Sequence, residues 1–182
     1  MTMSIRTPSQ TIGPFFHVGL KWSDSEKVGF ACVGEKIRLT GRVYDGAGSF
    51  VADALIETWQ ADSVGKVPAA GTQEKAHGYS RAATDSEGRF TIDTLMPGAC
   101  IGPGGEKYAP QIHVTIFARG LLKAVRTRVF LAAPDSIGDD PLARASGQRV
   151  KTLVAAKDPK TPEVWHWDVR LQGEGETVFI ET

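Results

Sequence analysis

The chain is short of the features that mark several large classes of protein. Among its 182 residues there are only two cysteines, Cys32 and Cys100, and they form no CxxC pair. Two buried free thiols are the simpler interpretation, and a single disulfide stays open as the alternative. No run of about 18 apolar residues exists to span a bilayer, and the opening MTMSIRTPSQ lacks the apolar stretch of a signal peptide. We therefore expect a cytoplasmic protein.

An excess of charge of one sign is also missing. Lys and Arg together number 21, as do Asp and Glu, so the formal net charge is zero. This balance gives no general electrostatic reason to expect nucleic acid or an anionic membrane as a partner. With 41% hydrophobic and 23% charged residues, the composition is that of an ordinary globular protein. We predict a single domain over residues 1–182.

Helical periodicity is scarce, whereas short alternating segments separated by Gly, Pro and Asp are plentiful. The predicted strands are residues 36–45, 54–62, 88–95, 112–119 and 121–131, followed by a closing hairpin of 165–173 and 176–180. Residues 141–156 are the helical candidate, short and peripheral, and the Gly- and Pro-rich residues 97–110 are predicted to form a loop. This spacing indicates an all-β sandwich or barrel with at most one short peripheral helix.

Complete catalytic motifs are absent as well. A His-x-His pair on a strand would place two imidazoles on one face, but the chain has Gln111-Ile112-His113 instead. His17, His77 and His166 lie far from it in sequence. There is no GxSxG elbow, and GPGGEK (residues 102–107) lacks the spacing of a phosphate-binding loop.

Two arginines are the most suggestive polar residues. Arg126 and Arg128 stand two apart within an alternating segment, so they share one face of the predicted strand. A solvated sheet face is one interpretation; a guanidinium that receives a carboxylate is the other. Residue patterns alone therefore lead to a β domain with a candidate anion site and no complete catalytic apparatus.

Several stretches together resemble the intradiol ring-cleaving dioxygenases, in particular the α-type chains of the members that cleave protocatechuate. They are TPSQTIGPFF, GRVYDGAG, IETWQAD, IHVTIFARG, RTRVF and LQGEGETVF. The resemblance covers residues 7–179 and implies an intradiol-dioxygenase β-sandwich.

In this family a non-haem Fe(III) is held by two tyrosines and two histidines, and this chain departs from that pattern. The tyrosine positions match Val67 and the Ala99-Cys100 turn, and the histidine positions match Gln111 and His113. The resemblance therefore implies no metal site and no catalytic residue in this chain. Fe(III) is expected to be bound by a homologous β subunit in an (αβ)n assembly.

The resemblance also implies how this chain contributes to substrate binding. Thr11, Gly13, Pro14 and Phe15 match an amino-terminal segment that forms part of the pocket wall over the partner's iron, with Phe15 where relatives often carry tyrosine. The resemblance therefore implies that residues 1–16 form an extended amino-terminal arm that contributes to the active-site wall. Arg128 matches the arginine expected to receive the substrate carboxylate.

The activity implied is O2-dependent cleavage of protocatechuate (3,4-dihydroxybenzoate) to 3-carboxy-cis,cis-muconate, in bacterial catabolism of aromatic compounds. The alternative is a non-catalytic scaffold subunit of a related intradiol dioxygenase that acts on another carboxylated catechol.

Overall fold

The computed structural model describes residues 19–21, 23–27, 34–67, 78–133 and 136–181. The strands are β1 (Lys36–Tyr44), β2 (Leu55–Gln60), β3 (Tyr79–Ala83), β4 (Arg89–Leu95), β5 (Cys100–Ile101), β6 (Lys107–Tyr108), β7 (Gln111–Phe117), β8 (Val125–Phe130), β9 (Ala156–Lys157), β10 (Val164–His166) and β11 (Val169–Arg170). A short helix, α1 (Pro141–Ser146), continues into a 3₁₀ helix (Gly147–Leu153).

Two sheets face each other across one core. In the first sheet, β1 is central: it pairs antiparallel with β4 on one side, and parallel with β10 and β11 on the other, with β9 beyond β10. The second sheet has the order β3-β2-β7-β8, all antiparallel. The all-β sandwich predicted from the sequence is thus confirmed.

The core is built from the inward positions of both sheets, as alternation along each strand requires. The first sheet contributes Leu39, Val43, Phe90 and Ile92, and the second contributes Ile56, Ile112, Val114, Ile116 and Val129. Gln60 is also buried between the sheets, where it donates to the Leu95 carbonyl (2.8 Å) and accepts from the Thr94 hydroxyl (2.7 Å). Burial of this amide costs little because both of its ends are paired.

A second, smaller cluster of Phe130, Ile137, Ala143 and Leu153 attaches α1 to the end of β8. The helix begins at Asp140, whose carboxylate accepts from the backbone amides of Leu142 (2.9 Å) and Ala143 (3.4 Å). Pro141 at the first helical turn needs no such partner for its nitrogen. The predicted peripheral helix is therefore present.

Two local predictions from the sequence are wrong. Residues 97–110 are not entirely loop, because β5 and β6 pair there. The closing hairpin is limited to a turn, in which the Thr177 amide donates to the Arg170 carbonyl (3.0 Å). The predicted strands pair elsewhere: β10 and β11 with β1, and Ile180 with Arg126 at the edge of β8. Thr127 donates its hydroxyl to the Val178 carbonyl (2.6 Å), which attaches the end of the chain to the second sheet.

Gly41 shows how tightly the parallel connection is packed. A Cβ added there would lie 1.7 Å from the Trp167 carbonyl oxygen, so only glycine allows this approach. Within the described ranges, no helix has the length and apolarity needed to cross a membrane.

Candidate functional site

The outer face of the second sheet carries a row of aromatic and basic side chains. The ladder places Tyr79 beside Trp59, Trp59 beside His113, and His113 beside Arg128. In such antiparallel pairs, side chains directly opposite each other come into contact range. The row crosses all four strands, and its middle members, Trp59 and His113, lie next to the loops that follow β2 and β4.

The neighbouring row of side chains on this sheet face contains an ion pair between β2 and β3. Arg81 and Glu57 form a half-buried ion pair, with Arg81 Nε donating to Glu57 Oε1 at 2.9 Å. Burial first, and then a hydrogen bond to Glu57, raise the pKa of Tyr79 to about 12, so this phenol stays protonated.

The segment WQAD builds the wall beside this row. Trp59 points outward and Gln60 inward, while Asp62 closes a turn by accepting from the amides of Val64 (3.0 Å) and Lys66 (2.8 Å). The Asp62 carbonyl also accepts from the Gly98 amide (2.8 Å), which ties this turn to the loop after β4. A Cβ on Gly65 would lie 2.0 Å from the Ala99 carbonyl oxygen, and Gly65 has a φ of +82°. Glycine is thus required on both grounds.

These loops enclose a cavity of about 190 Å³ above the row. It is lined by Trp59, Ala61, Val67, Gly98, Cys100, Gln111 and His113. The four positions that the family resemblance assigned to iron ligands therefore come together here, with Cys100 rather than Ala99 on the cavity wall. Sequence spacing alone places these residues on three separate segments, with Gln111 and His113 on one of them.

The donor set of this cavity does not fit a non-haem Fe(III). Val67 offers no donor atom, and Gln111 offers a neutral amide where the family has an imidazole. Burial raises the pKa of Cys100, against the opposing charge of Arg128, so the group is a thiol at neutral pH. Across the described ranges, no three His, Cys, Asp or Glu residues are grouped to hold a metal ion.

The remaining ligand-type residue, His113, is held neutral. It keeps an exposed edge, yet the burial imposed by the surrounding protein lowers its pKa, and the cation of Arg128 lowers it further. The carboxylate of Asp140 acts in the opposite direction. The charges of Asp140 and Arg128 thus both affect the pKa of Cys100 and the pKa of His113.

Arg128 itself has an unusual environment. The described part of the chain has three half-buried arginines: Arg42 pairs with Glu87 and Arg81 with Glu57, whereas Arg128 forms no ion pair there. Within the described ranges its Nε is buried without a hydrogen-bond partner, and its terminal nitrogens form no hydrogen bond to these residues. A guanidinium in this state can receive a planar anion through two parallel hydrogen bonds.

The predicted common face of Arg126 and Arg128 is confirmed. Thr127 and Val129 point into the core between and beyond them, while Arg126 is exposed and Arg128 is half-buried. Thr11, Gly13, Pro14 and Phe15 lie outside the described residues, as do Cys32, His17 and His77.

Sequence reasoning missed two residues of this site, Tyr108 beside Arg128 and Asp140 near Cys100 and His113. The ring of Tyr108 on β6 lies under the Arg128 guanidinium, with 5.2 Å from the guanidinium carbon to the ring centroid. Asp140 is 1% exposed, and its second carboxylate oxygen has no hydrogen-bond partner in the described residues. An Asp followed by Pro at a helix start is a recognisable signal for such a cap; nothing local marked Tyr108.

Comparison with known proteins agrees with this architecture. A family model described as "Dioxygenase" matches residues 23–173. The protocatechuate 3,4-dioxygenase alpha chain of Burkholderia cepacia is 36% identical over 200 residues, covering 100% of both chains. The beta chain of the same species is 28% identical over 159 residues, covering 80% of this chain and 68% of its own length. The dioxygenase domain of a carbohydrate-binding fusion protein from Streptomyces sp. SirexAA-E superposes with a TM-score of 0.60 at 19% identity, covering 95% of this chain and 96% of that one.

The β-sandwich is the fold of that dioxygenase domain, and the family model together with the alpha-chain match specifies the family. The chain belongs to the intradiol ring-cleavage dioxygenase family. Membership of this family implies a non-haem iron cofactor for the enzyme as a whole.

Proposed function

We propose that this chain is the α-type subunit of a protocatechuate 3,4-dioxygenase, and that a β-type partner holds the iron. The observation that carries the proposal is the cavity of Val67, Cys100, Gln111 and His113, whose donor set does not fit Fe(III). This cavity occurs in a chain that matches an alpha chain over its full length and a beta chain over most of it. If the β-type chain binds the iron for the assembly, the homologous chain can lose its own ligands and keep other roles.

In this proposal Arg128 supplies specificity for a carboxylated substrate. Its free terminal nitrogens form a fork for the ring carboxylate of protocatechuate, and the half-buried setting strengthens such a pair relative to one in open water. A pure scaffold subunit would have no use for a half-buried cation without an anion, because burial of an unpaired charge is costly. This feature favours a substrate-binding subunit over the scaffold alternative.

Residues 1–16 contribute the other half of the role. Thr11, Gly13, Pro14 and Phe15 form part of the pocket wall at the partner's iron in this proposal. Pro14 fixes a rigid turn, Gly13 permits close backbone approach, and Phe15 offers an aromatic surface to a flat diphenol. The product is 3-carboxy-cis,cis-muconate, and the cytoplasmic location expected from the sequence remains a prediction.

Reconstitution tests the proposal. The chain is expressed alone and together with a β-type chain, and each preparation is assayed for iron content, O2 uptake and the ring-cleaved product. We expect iron, a red-brown tyrosinate-to-Fe(III) colour and protocatechuate cleavage only when both chains are present. A lone chain that holds one tightly bound, coloured iron would overturn the proposal, as would activity on protocatechuate that is unchanged when this chain is omitted.

A further inference from the structure

We propose that Tyr108 is a positioning residue that holds Arg128 in the orientation needed to receive the substrate carboxylate. The inference rests on the proposed function, since it concerns the carboxylate-binding role of Arg128. It starts from what does and does not restrain this side chain in the structure.

Within the described ranges, Arg128 lacks the ion pair and the hydrogen bonds that usually restrain a long cationic side chain. Its Nε is buried without an acceptor, and no carboxylate within the described ranges lies in ion-pair distance of its guanidinium. The guanidinium lies over the ring of Tyr108, with 5.2 Å between its central carbon and the ring centroid. The negative face of an aromatic ring attracts a cation held over it.

Tyr108 is itself held from the opposite strand. It pairs with Cys100 in the two-stranded β5–β6 sheet, so the same short hairpin places both a cavity residue and the support of Arg128. A Cβ on Gly102 would lie 2.5 Å from Tyr108 Cε2, which shows that the ring rests against the glycine backbone. The ring therefore has a backbone surface beside it and little freedom to swing away from Arg128.

The chemical type of the support matters. A carboxylate in the place of Tyr108 would also orient Arg128, but it would occupy the fork and cancel the charge that a substrate anion needs. An aromatic ring orients the cation through its face and leaves both the terminal nitrogens and most of the charge available. Preorganisation of this kind reduces the entropy that a bound anion must otherwise offset.

The test uses the assembled enzyme with Tyr108→Leu, Tyr108→Phe and Arg128→Ala, with protocatechuate as substrate. Catechol, which lacks the carboxylate, serves as second substrate or, where its turnover is too slow, as competitive inhibitor. We expect Tyr108→Leu to raise KM for protocatechuate roughly 2- to 30-fold, from the strength of a cation–aromatic contact, with kcat and the catechol constants little changed. Tyr108→Phe keeps the ring and should restore KM to near the wild-type value.

The double variant of Tyr108→Leu with Arg128→Ala separates positioning from general damage. It should have the same KM for protocatechuate as Arg128→Ala alone, because the ring has no cation left to hold. Equal losses for catechol and protocatechuate in Tyr108→Leu, no rescue by Tyr108→Phe, or additive losses in the double variant would each overturn the inference. A carboxylate-specific loss in Arg128→Ala without one in Tyr108→Leu refutes the role of Tyr108 alone. The absence of such a loss in Arg128→Ala refutes the substrate contact in the proposed function, and the role of Tyr108 with it.

Discussion

Arg128 stands directly opposite His113 in the β7–β8 ladder, so a cation lies beside an imidazole whose pKa is lowered first by burial and then by that cation. This pairing links the two candidate functions of the surface, which are binding of a metal cation and binding of an anion. The position that would be a metal ligand in an iron-binding relative faces a charge of the same sign as a metal ion. An unpaired guanidinium in this place opposes cation binding and favours an anion.

The first prediction concerns the pH dependence of His113. Because its pKa is lowered in the folded chain, the unfolded chain takes up this proton first as the pH falls. Stability should therefore decrease between about pH 7 and pH 5, and the part due to His113 should vanish in His113→Gln. Thermal unfolding of both proteins across this range gives the slope, and a histidine NMR titration gives the pKa. A His113 that titrates at or above its usual value would contradict the structure.

The neighbouring charges provide matched controls for that titration. Arg128→Ala should move the pKa of His113 back toward its usual value, whereas Asp140→Asn should lower it further. Opposite shifts from the two variants would be difficult to obtain from a general loosening of the fold.

The second prediction concerns the buried carboxylate of Asp140. Asparagine can keep the cap on the amides of Leu142 and Ala143, but it removes a negative charge that acts on Cys100 and His113 in opposition to Arg128. Asp140→Asn should therefore lower KM for protocatechuate a few-fold and leave catechol unaffected. Asp140→Ala also loses the cap and should destabilise the chain by about 0.5–2 kcal/mol in denaturant unfolding. A higher KM for protocatechuate in Asp140→Asn would show that the carboxylate assists substrate binding instead.

Features that depend on neighbouring residues in the sequence could be predicted, whereas features that depend on residues far apart in the sequence could not. Alternation within β1, β2, β4 and β7 is a local property, and these strands were predicted from it. The parallel pairing of β10 and β11 with β1 joins residues more than 120 positions apart, such as Leu39 and Trp165, and no local pattern encodes it. The closing hairpin was predicted wrongly for this reason.

The same distinction applies to the site residues. The shared face of Arg126 and Arg128 follows from a period of two, and the structure confirms it. The place of Tyr108 under Arg128 depends on a two-residue strand pairing with Cys100, which the irregular sequence around it concealed. Family resemblance identified Val67, Cys100 and Gln111 as ligand positions, and only the fold places them around one cavity.

The third prediction tests the close approach at Gly41. Gly41→Ala would force a methyl group against the Trp167 carbonyl, which is backbone and cannot rotate away. We expect the free energy of unfolding to fall by about 1–3 kcal/mol, seen as a lower midpoint in denaturant unfolding. Gly138→Ala is the control, because its added Cβ meets nothing within 4 Å. Equal midpoints for the two variants would mean that the strands at Gly41 separate at little cost.

The fourth prediction concerns residues 1–16, which lie outside the described residues. If they form pocket wall rather than core, their deletion should leave assembly with the β-type chain and iron content largely intact while turnover drops. Size-exclusion chromatography, metal analysis and O2 uptake measure the three properties separately. Full activity of the truncated enzyme would assign TPSQTIGPFF another role.

The last prediction concerns Arg128 against its neighbour Arg126. Both lie on the same face of β8, but Arg126 is exposed, whereas Arg128 is half-buried with free terminal nitrogens. Truncating one partner of a desolvated charge pair typically costs about 2–5 kcal/mol, which corresponds to roughly 30-fold or more in affinity. Water entering the space left by the side chain should keep Arg128→Ala near the lower end. The loss should appear chiefly in KM for protocatechuate, because the carboxylate takes no part in the bond changes and is bound equally in ground and transition states.

Catechol should be little affected by Arg128→Ala, and Arg126→Ala should leave both substrates near wild type. Steady-state kinetics of the three enzymes with both substrates decides the matter. Equal losses for the two substrates in Arg128→Ala would make the residue a structural one and remove the carboxylate contact from the proposed function.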